Sequence, residues 1–127
     1  MQNYILVAVG AAFGGLMRYW LSGVVQNISP YGFPSGTLSV NVLGSFILGF
    51  IIFYFDTQEL ISPELRVMLT IGFCGGFTTF STFSFETINL LRDSELLLAL
   101  INIGLSLLLT LTAVVLSYYL SKVLSGG

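Results

Sequence analysis

The chain has 127 residues, 55% of them hydrophobic and only 8% charged, with a formal net charge of −2. Soluble domains carry about 25% charged residues, so this is the composition of a polytopic membrane protein; the small, dispersed charge gives no basis for a nucleic-acid partner or for attraction to an acidic membrane surface. With no histidine and a single cysteine, Cys74, an intrachain disulfide is excluded and a Cys/His metal cluster nearly so.

The N-terminal residues Met1-Gln2-Asn3-Tyr4 lack the basic region of a cleavable signal. The apolar run behind them also outlasts a signal core, so it reads as the start of a first span. A span needs roughly 20 mainly apolar residues; the first is expected over residues 4–25, before Asn27, Ser29 and Pro30. Gly10 and Gly14 form a GxxxG pair that, with Gly15, permits close helix approach. Arg18 is followed by Tyr19 and Trp20, an interfacial signature. Two roles suit it: a side chain that snorkels to the interface, or a charge that concentrates anions at a pore mouth.

A Pro/Gly-rich link over residues 30–36 punctuates the chain before the second span, expected over 37–55 and stopped by Asp56, Gln58 and Glu59. Within it Asn41 lies one turn after Thr37. An amide in hydrocarbon must find partners, so Asn41 is either interhelical glue or a ligand, and the residues alone leave both open. Gly44 and Gly49 suit packing.

The third span opens at Ser62-Pro63-Glu64, with Ser62 suited to the N-cap and Pro63 to the first helical position, and runs over residues 63–91. It contains Gly72-Phe-Cys-Gly-Gly-Phe-Thr-Thr-Phe-Ser-Thr-Phe-Ser-Phe-Glu86. The glycines Gly75 and Gly76 favour unwinding, and the hydroxyl residues Thr78, Thr79, Ser81 and Thr82 follow at once. Non-helical backbone at membrane depth is tolerated only where protein covers it or a watery cavity meets it. A break is therefore expected near residues 75–82.

Phe77, Phe80 and Phe83 recur every third residue, with Phe73 and Phe85 nearby. Phenylalanines in a membrane protein usually pack or face lipid. Phe80 and Phe83, however, alternate with hydroxyls where unwinding is expected, and the positive edge of a phenyl ring favours an anion without trapping it. Glu86 suits two roles: capping the helix that restarts after the break, or carrying a proton.

The fourth span is expected over 96–120, after Arg92-Asp93-Ser94-Glu95. Asn102, Ser106 and Thr110 stand at i, i+4 and i+8 on one face, while Gly104, Thr112 and Ser117 lie off that line. A single Ser or Thr often bonds its own backbone; three polar residues in register read as a track.

Four spans put both termini and the loop between spans two and three on one side. Arg66 and Lys122 lie toward that side and Arg18 and Arg92 toward the other, so the 4 basic residues give no positive-inside bias. Either short loops carry few charges and another signal sets orientation, or copies insert both ways and pair antiparallel. Four helices enclose little, whereas an inverted pair supplies eight spans, and inverted repeats hold ion sites near the midplane. The expected fold is an all-α membrane protein with a single transmembrane domain over 1–127, four helices, the third broken mid-membrane, and an antiparallel homodimer in the bilayer. No nucleophile–base pair or metal cluster can be assembled, which argues against an enzyme.

Three stretches carry a resemblance to a known family. Gly75-Gly-Phe-Thr-Thr-Phe-Ser-Thr-Phe-Ser84 is the strongest, supported by Gly36-Thr-Leu-Ser-Val-Asn41 and Gly14-Gly-Leu-Met-Arg-Tyr19. Over essentially its whole length the chain resembles the Fluc-type fluoride channels, small dual-topology microbial proteins that export fluoride. The resemblance implies passive fluoride export across the cell's inner (plasma) membrane, protecting against fluoride toxicity, through two pores of an antiparallel homodimer. It implies a structural Na⁺ at the dimer centre, held by the backbone carbonyls at Gly75 and Thr78. It places Asn41 on the ion pathway with Thr37 close by, adds Phe80, Phe83, Ser106 and Thr110, and maps the family's span-one arginine and post-break glutamate onto Arg18 and Glu86. The position of Asn102 varies in the family, which leaves its role open.

The physics of fluoride agrees. Moving even a carboxylate-sized ion into low dielectric costs on the order of 20 kcal/mol before relaxation, so conduction needs a series of replacement donors strong enough to admit the ion and weak enough to release it. Amides, hydroxyls and phenyl edges meet that demand. The main rival is a small proton-coupled dual-topology transporter of the multidrug or anion-antiporter kind. Such proteins carry an acidic residue in the first span, where this chain has only Arg18, so proton-driven export would have to depend on Glu86. A non-conducting assembly subunit is a third class, for which the polar track would be surplus.

Overall fold

The structure, a computed structural model, describes residues 1–29 and 32–126; Pro30 and Tyr31 of the expected link, and Gly127, lie outside the described residues. Helix α1 covers Gln2–Asn27. Helix α2 covers Ser35–Phe50 and runs without interruption into a π-helical segment, Ile51–Asp56. The next stretch is composite: α3 (Pro63–Val67), a π-helical segment (Met68–Cys74), α4 (Gly75–Phe77) and α5 (Phe80–Arg92). Helix α6 covers Leu96–Leu124. Together these give 4 helices long and apolar enough to cross a membrane, over 2–27, 35–56, 63–92 and 96–124.

The start of α3 is set locally. The Ser62 hydroxyl accepts from Leu65 N–H at 3.1 Å and Pro63 occupies the first turn, where its missing N–H costs nothing. Across the preceding loop Arg66 Nε lies 3.3 Å from Asp56 Oδ2, so the ends of the second and third membrane stretches are held together at the surface.

Glycine drives the closest packing. A Cβ on Gly10 would meet Met68 O and Phe73 N, and one on Gly14 would meet Phe73 O and Phe77 N. In return, a Cβ on Gly72 would lie 3.0 Å from Val7 O, and one on Gly76 would lie 2.7 Å from Ala11 O. Two GxxxG pairs, Gly10/Gly14 and Gly72/Gly76, thus interlock backbone against backbone, the contact that dispersion favours where lipid supplies no hydrophobic drive.

On the other side α6 packs against α2, and the residues it buries are all small or polar: Ala99, Asn102, Ser106, Ala113, Ser117 and Ser121. Gly49 of α2 lies directly against Ser117. The Ser117 and Ser121 hydroxyls donate to the carbonyls of Val114 and Ser117, at 2.7 and 2.6 Å, so neither needs a partner from another helix.

The unwinding expected at Gly75-Gly76 is not there. Gly75 has φ −62° and ψ −37°, and both glycines belong to helical segments. Gly76 serves close approach to α1. The extended residues come after Phe77, at Thr78 (φ −95°, ψ 161°) and Thr79 (φ −154°, ψ 120°). Both are β-branched, a side-chain class suited to extended backbone.

Candidate functional site

Beside the extended pair lies a cavity of about 320 Å³. Helix α2 lines it with Asn41, Gly44 and Ser45, the composite stretch with Cys74, Gly75, Thr78 and Thr79, α5 with Phe80 and Phe83, and α6 with Ser106 and Thr110. It brings together five of the eight residues expected on an ion pathway, along with both residues expected to hold a cation. Gly44 permits this convergence, because a Cβ there would meet the Thr78 methyl group and the Phe77 ring.

The extended pair poses an accounting problem, since backbone polar groups that leave a helix in apolar surroundings must be satisfied elsewhere. Thr78 places its donors locally: its N–H and its hydroxyl both donate to Cys74 O, at 3.0 and 2.8 Å. Thr79 is served from α2, where Asn41 Oδ1 accepts from Thr79 N–H at 2.8 Å and Asn41 Nδ2 donates to Thr79 O at 3.0 Å. Arg18 reaches across from α1 and donates from Nε to Gly76 O at 2.9 Å, a cation placed at the C-terminal end of a helical segment, where the dipole favours it. None of these bonds goes to the carbonyls of Gly75 or Thr78.

Helix α5 begins with its own cap. The Thr79 hydroxyl accepts from Thr82 N–H at 3.1 Å, so the cap is Thr79 and not Glu86, which lies further along α5. The rings of Phe80 and Phe83 stand 5.5 Å apart between centroids and are tilted by 42°. Phe80 is 77% exposed in the single chain.

The track expected on the fourth span divides. Ser106 and Thr110 line the cavity, and the Thr110 hydroxyl donates to Ser106 O at 2.6 Å. Asn102 turns elsewhere: it is buried, and its Nδ2 donates to Thr87 Oγ1 at 3.0 Å, while the Thr87 hydroxyl donates to Phe83 O at 2.8 Å. This relay ties α6 to the part of α5 that carries the rings. Thr87 was not singled out by sequence reasoning; its position one turn beyond Phe83 was the available signal.

Thr37, Glu86 and Arg18 lie outside the cavity. Thr37 is buried. Glu86 Oε1 is buried without a hydrogen-bond partner, and the residue lines a second cavity of about 220 Å³ with Gln26, Asn89 and Asp93. Among the described residues no group of 3 or more His, Cys, Asp or Glu side chains could hold a metal ion.

Residues 5–118 match the family described as CrcB-like protein, Camphor Resistance (CrcB). The chain belongs to this family. Among curated relatives, a protein of Geotalea daltonii named fluoride-specific ion channel FluC is 50% identical over 111 residues, covering 87% of this chain and 90% of that protein. A protein of the same name from Geotalea uraniireducens is 45% identical over 124 residues, 98% of this chain and 100% of the relative. The fluoride-specific ion channel FluC 1 of Methanosarcina acetivorans is 45% identical over 123 residues, 97% of this chain and 90% of the relative. The CrcB-like match takes in every residue of both cavities.

Proposed function

We propose that this CrcB-like chain is a fluoride-selective channel that lets fluoride leave the cell passively across the inner membrane and so protects against fluoride toxicity. The observation that carries the reading is the convergence of Asn41, Phe80, Phe83, Ser106 and Thr110 on one cavity, in a chain whose close relatives are named fluoride-specific ion channels. An amide, two hydroxyls and two phenyl edges are weak, uncharged or edge-positive partners for an anion. A series of such partners replaces hydration without holding the ion fast. Glu86 adds a polar group at the second cavity, and Arg18 adds positive charge near the extended pair.

The working unit in this reading is an antiparallel homodimer with two pores, and Thr78–Thr79 is the mid-membrane break of the third span. The exposure of Phe80 and Gly75 in the single chain supports a covering partner. Na⁺ is the cation suited to the dimer centre. The Gly75 and Thr78 carbonyls are hard oxygen donors, and they are passed over by the hydrogen bonds that serve Cys74, Gly76 and Thr79. Two protomers would supply four such oxygens, and a bound Na⁺ would neutralise their dipoles. Unwound carbonyls coordinate Na⁺ in other membrane proteins.

The test is fluoride efflux from liposomes carrying the purified protein, followed with a fluoride electrode. Release down the fluoride gradient is expected, with little chloride flux and no need for a proton gradient. Inert liposomes would overturn the reading, and efflux that requires a pH gradient would replace it with a Glu86-dependent proton-coupled transporter.

A further inference from the structure

Asn41 was open to two readings, as glue or as ligand, and its two hydrogen bonds make a more specific one available. The side-chain amide has the same donor–acceptor pair as a peptide group. Here it is used as one: Oδ1 takes the Thr79 N–H at 2.8 Å and Nδ2 gives to the Thr79 carbonyl at 3.0 Å. Thr79 is the only residue of the extended pair served entirely by another helix, since Thr78 N–H is bound within its own stretch by Cys74 O. We infer that Asn41 is a positioning residue, a peptide-like clamp from α2 that fixes the backbone of Thr79 and thereby the register at which α5 presents Phe80 and Phe83 to the cavity.

Three observations favour this over a simple packing contact. First, without the clamp both Thr79 backbone groups would lose the partners the structure gives them, at a depth where unpaired backbone is costly. Second, Thr79 is also the N-cap of α5, its hydroxyl accepting from Thr82 N–H. A Thr79 free to rotate would release the cap together with the backbone. Third, Phe80 is the very next residue and the first of α5. The amide nitrogen has two hydrogens; with one committed to Thr79 O, the other remains for the cavity that Asn41 lines. Clamp and anion donor are therefore compatible in one side chain, and the clamp is what pre-orients the donor.

The inference rests on the proposed channel reading for its functional half only, and one experiment separates the two. Amide hydrogen exchange at Thr78 and Thr79 is followed by NMR in the wild-type chain, in Asn41→Leu, which has about the same size without polar atoms, and in Asn41→Ser. Serine keeps a hydroxyl donor but is too short to bridge both Thr79 groups. The expected result is exchange at least tenfold faster at Thr79 in both variants, unchanged exchange at Thr78, and at least tenfold slower fluoride efflux in both. Unaltered exchange at Thr79, or equal acceleration at Thr78 and Thr79, overturns the clamp, the latter because it marks general loosening. Selective acceleration at Thr79 with efflux retained overturns the positioning role, as does full efflux in Asn41→Ser. Should Asn41→Leu not fold, Asn41→Ser alone decides both points. A wild-type chain that passes no fluoride would defeat the channel reading, while the exchange data would still judge the clamp.

Discussion

At the scale of single residues, the aromatic pair separates a role in conduction from a role in packing. Phe80 opens α5, lines the cavity and is 77% exposed, while Phe85 on the same helix is 65% exposed and lines neither polar cavity. Exposure is thus shared, and position relative to the cavity is what differs. If the ring edge of Phe80 meets the anion, Phe80→Ile should reduce fluoride efflux at least tenfold, because isoleucine keeps an apolar side chain and removes the positive edge. Phe85→Ile should keep efflux within about twofold of wild type. Both variants should run as the same oligomer in size-exclusion chromatography, and equal efflux in the two would take the ring edge out of the mechanism. Thr110 differs from the rings in that its hydroxyl proton is already given to Ser106 O. To serve an anion that O–H must turn away from its own backbone, an exchange of one hydrogen bond for another that suits a transient contact.

At the scale of elements, the interlock of α1 with the third membrane stretch predicts a contrast between neighbouring glycines. A Cβ on Gly14 would meet Phe73 O and Phe77 N, whereas one on Gly15 finds nothing within 4 Å. Gly14→Ala should therefore cost about 1–3 kcal/mol through overpacking against backbone that cannot yield. Gly15→Ala should be neutral or slightly stabilising through helix propensity. Thermal unfolding in detergent reads the difference, and equal midpoints would show that the helices separate freely. The same elements show what was legible in the sequence. Four apolar helices, the Ser62-Pro63 start and the GxxxG pair of α1 could be read because hydropathy, capping and small-residue spacing are local signals. Gly76, half of the partner pair Gly72/Gly76, reads in the sequence together with Gly75 as a source of unwinding, since a glycine's freedom and its smallness leave the same mark. Only the approach of Ala11 decides between them. The π-helical segments left no local signal. Five residues of the cavity's lining (Asn41, Phe80, Phe83, Ser106 and Thr110) are named from the motifs and the resemblance, while Ser45 and Thr70 are not; the Asn41–Thr79 and Arg18–Gly76 bonds are tertiary and had no trace in spacing.

At the scale of the whole molecule, the weak orientation signal is sharpened by the structure. Arg18 is half-buried and donates to Gly76 O, so its side chain is tied to the third membrane stretch and is a poorer orientation signal than a free loop charge. The remaining basic residues are Arg66 and Lys122 near the side of the termini and Arg92 near the other, and Arg66 is paired with Asp56. So small a difference leaves insertion in both directions open, as an antiparallel pair requires, and it is within reach of engineering. Asp93→Lys with Glu95→Lys adds two basic residues to the turn between α5 and α6; Gln58→Lys with Ser125→Lys adds two to the opposite side. Each pair expressed alone should insert in one direction and lose most fluoride protection, because like-oriented copies cannot form the inverted pair. Co-expressed, the two should restore it. Accessibility labelling of an introduced loop cysteine, in a Cys74→Ala background, reports the orientation independently of flux. A variant that is locked in one direction by that measure yet protects fully when expressed alone would remove the antiparallel dimer from the proposal.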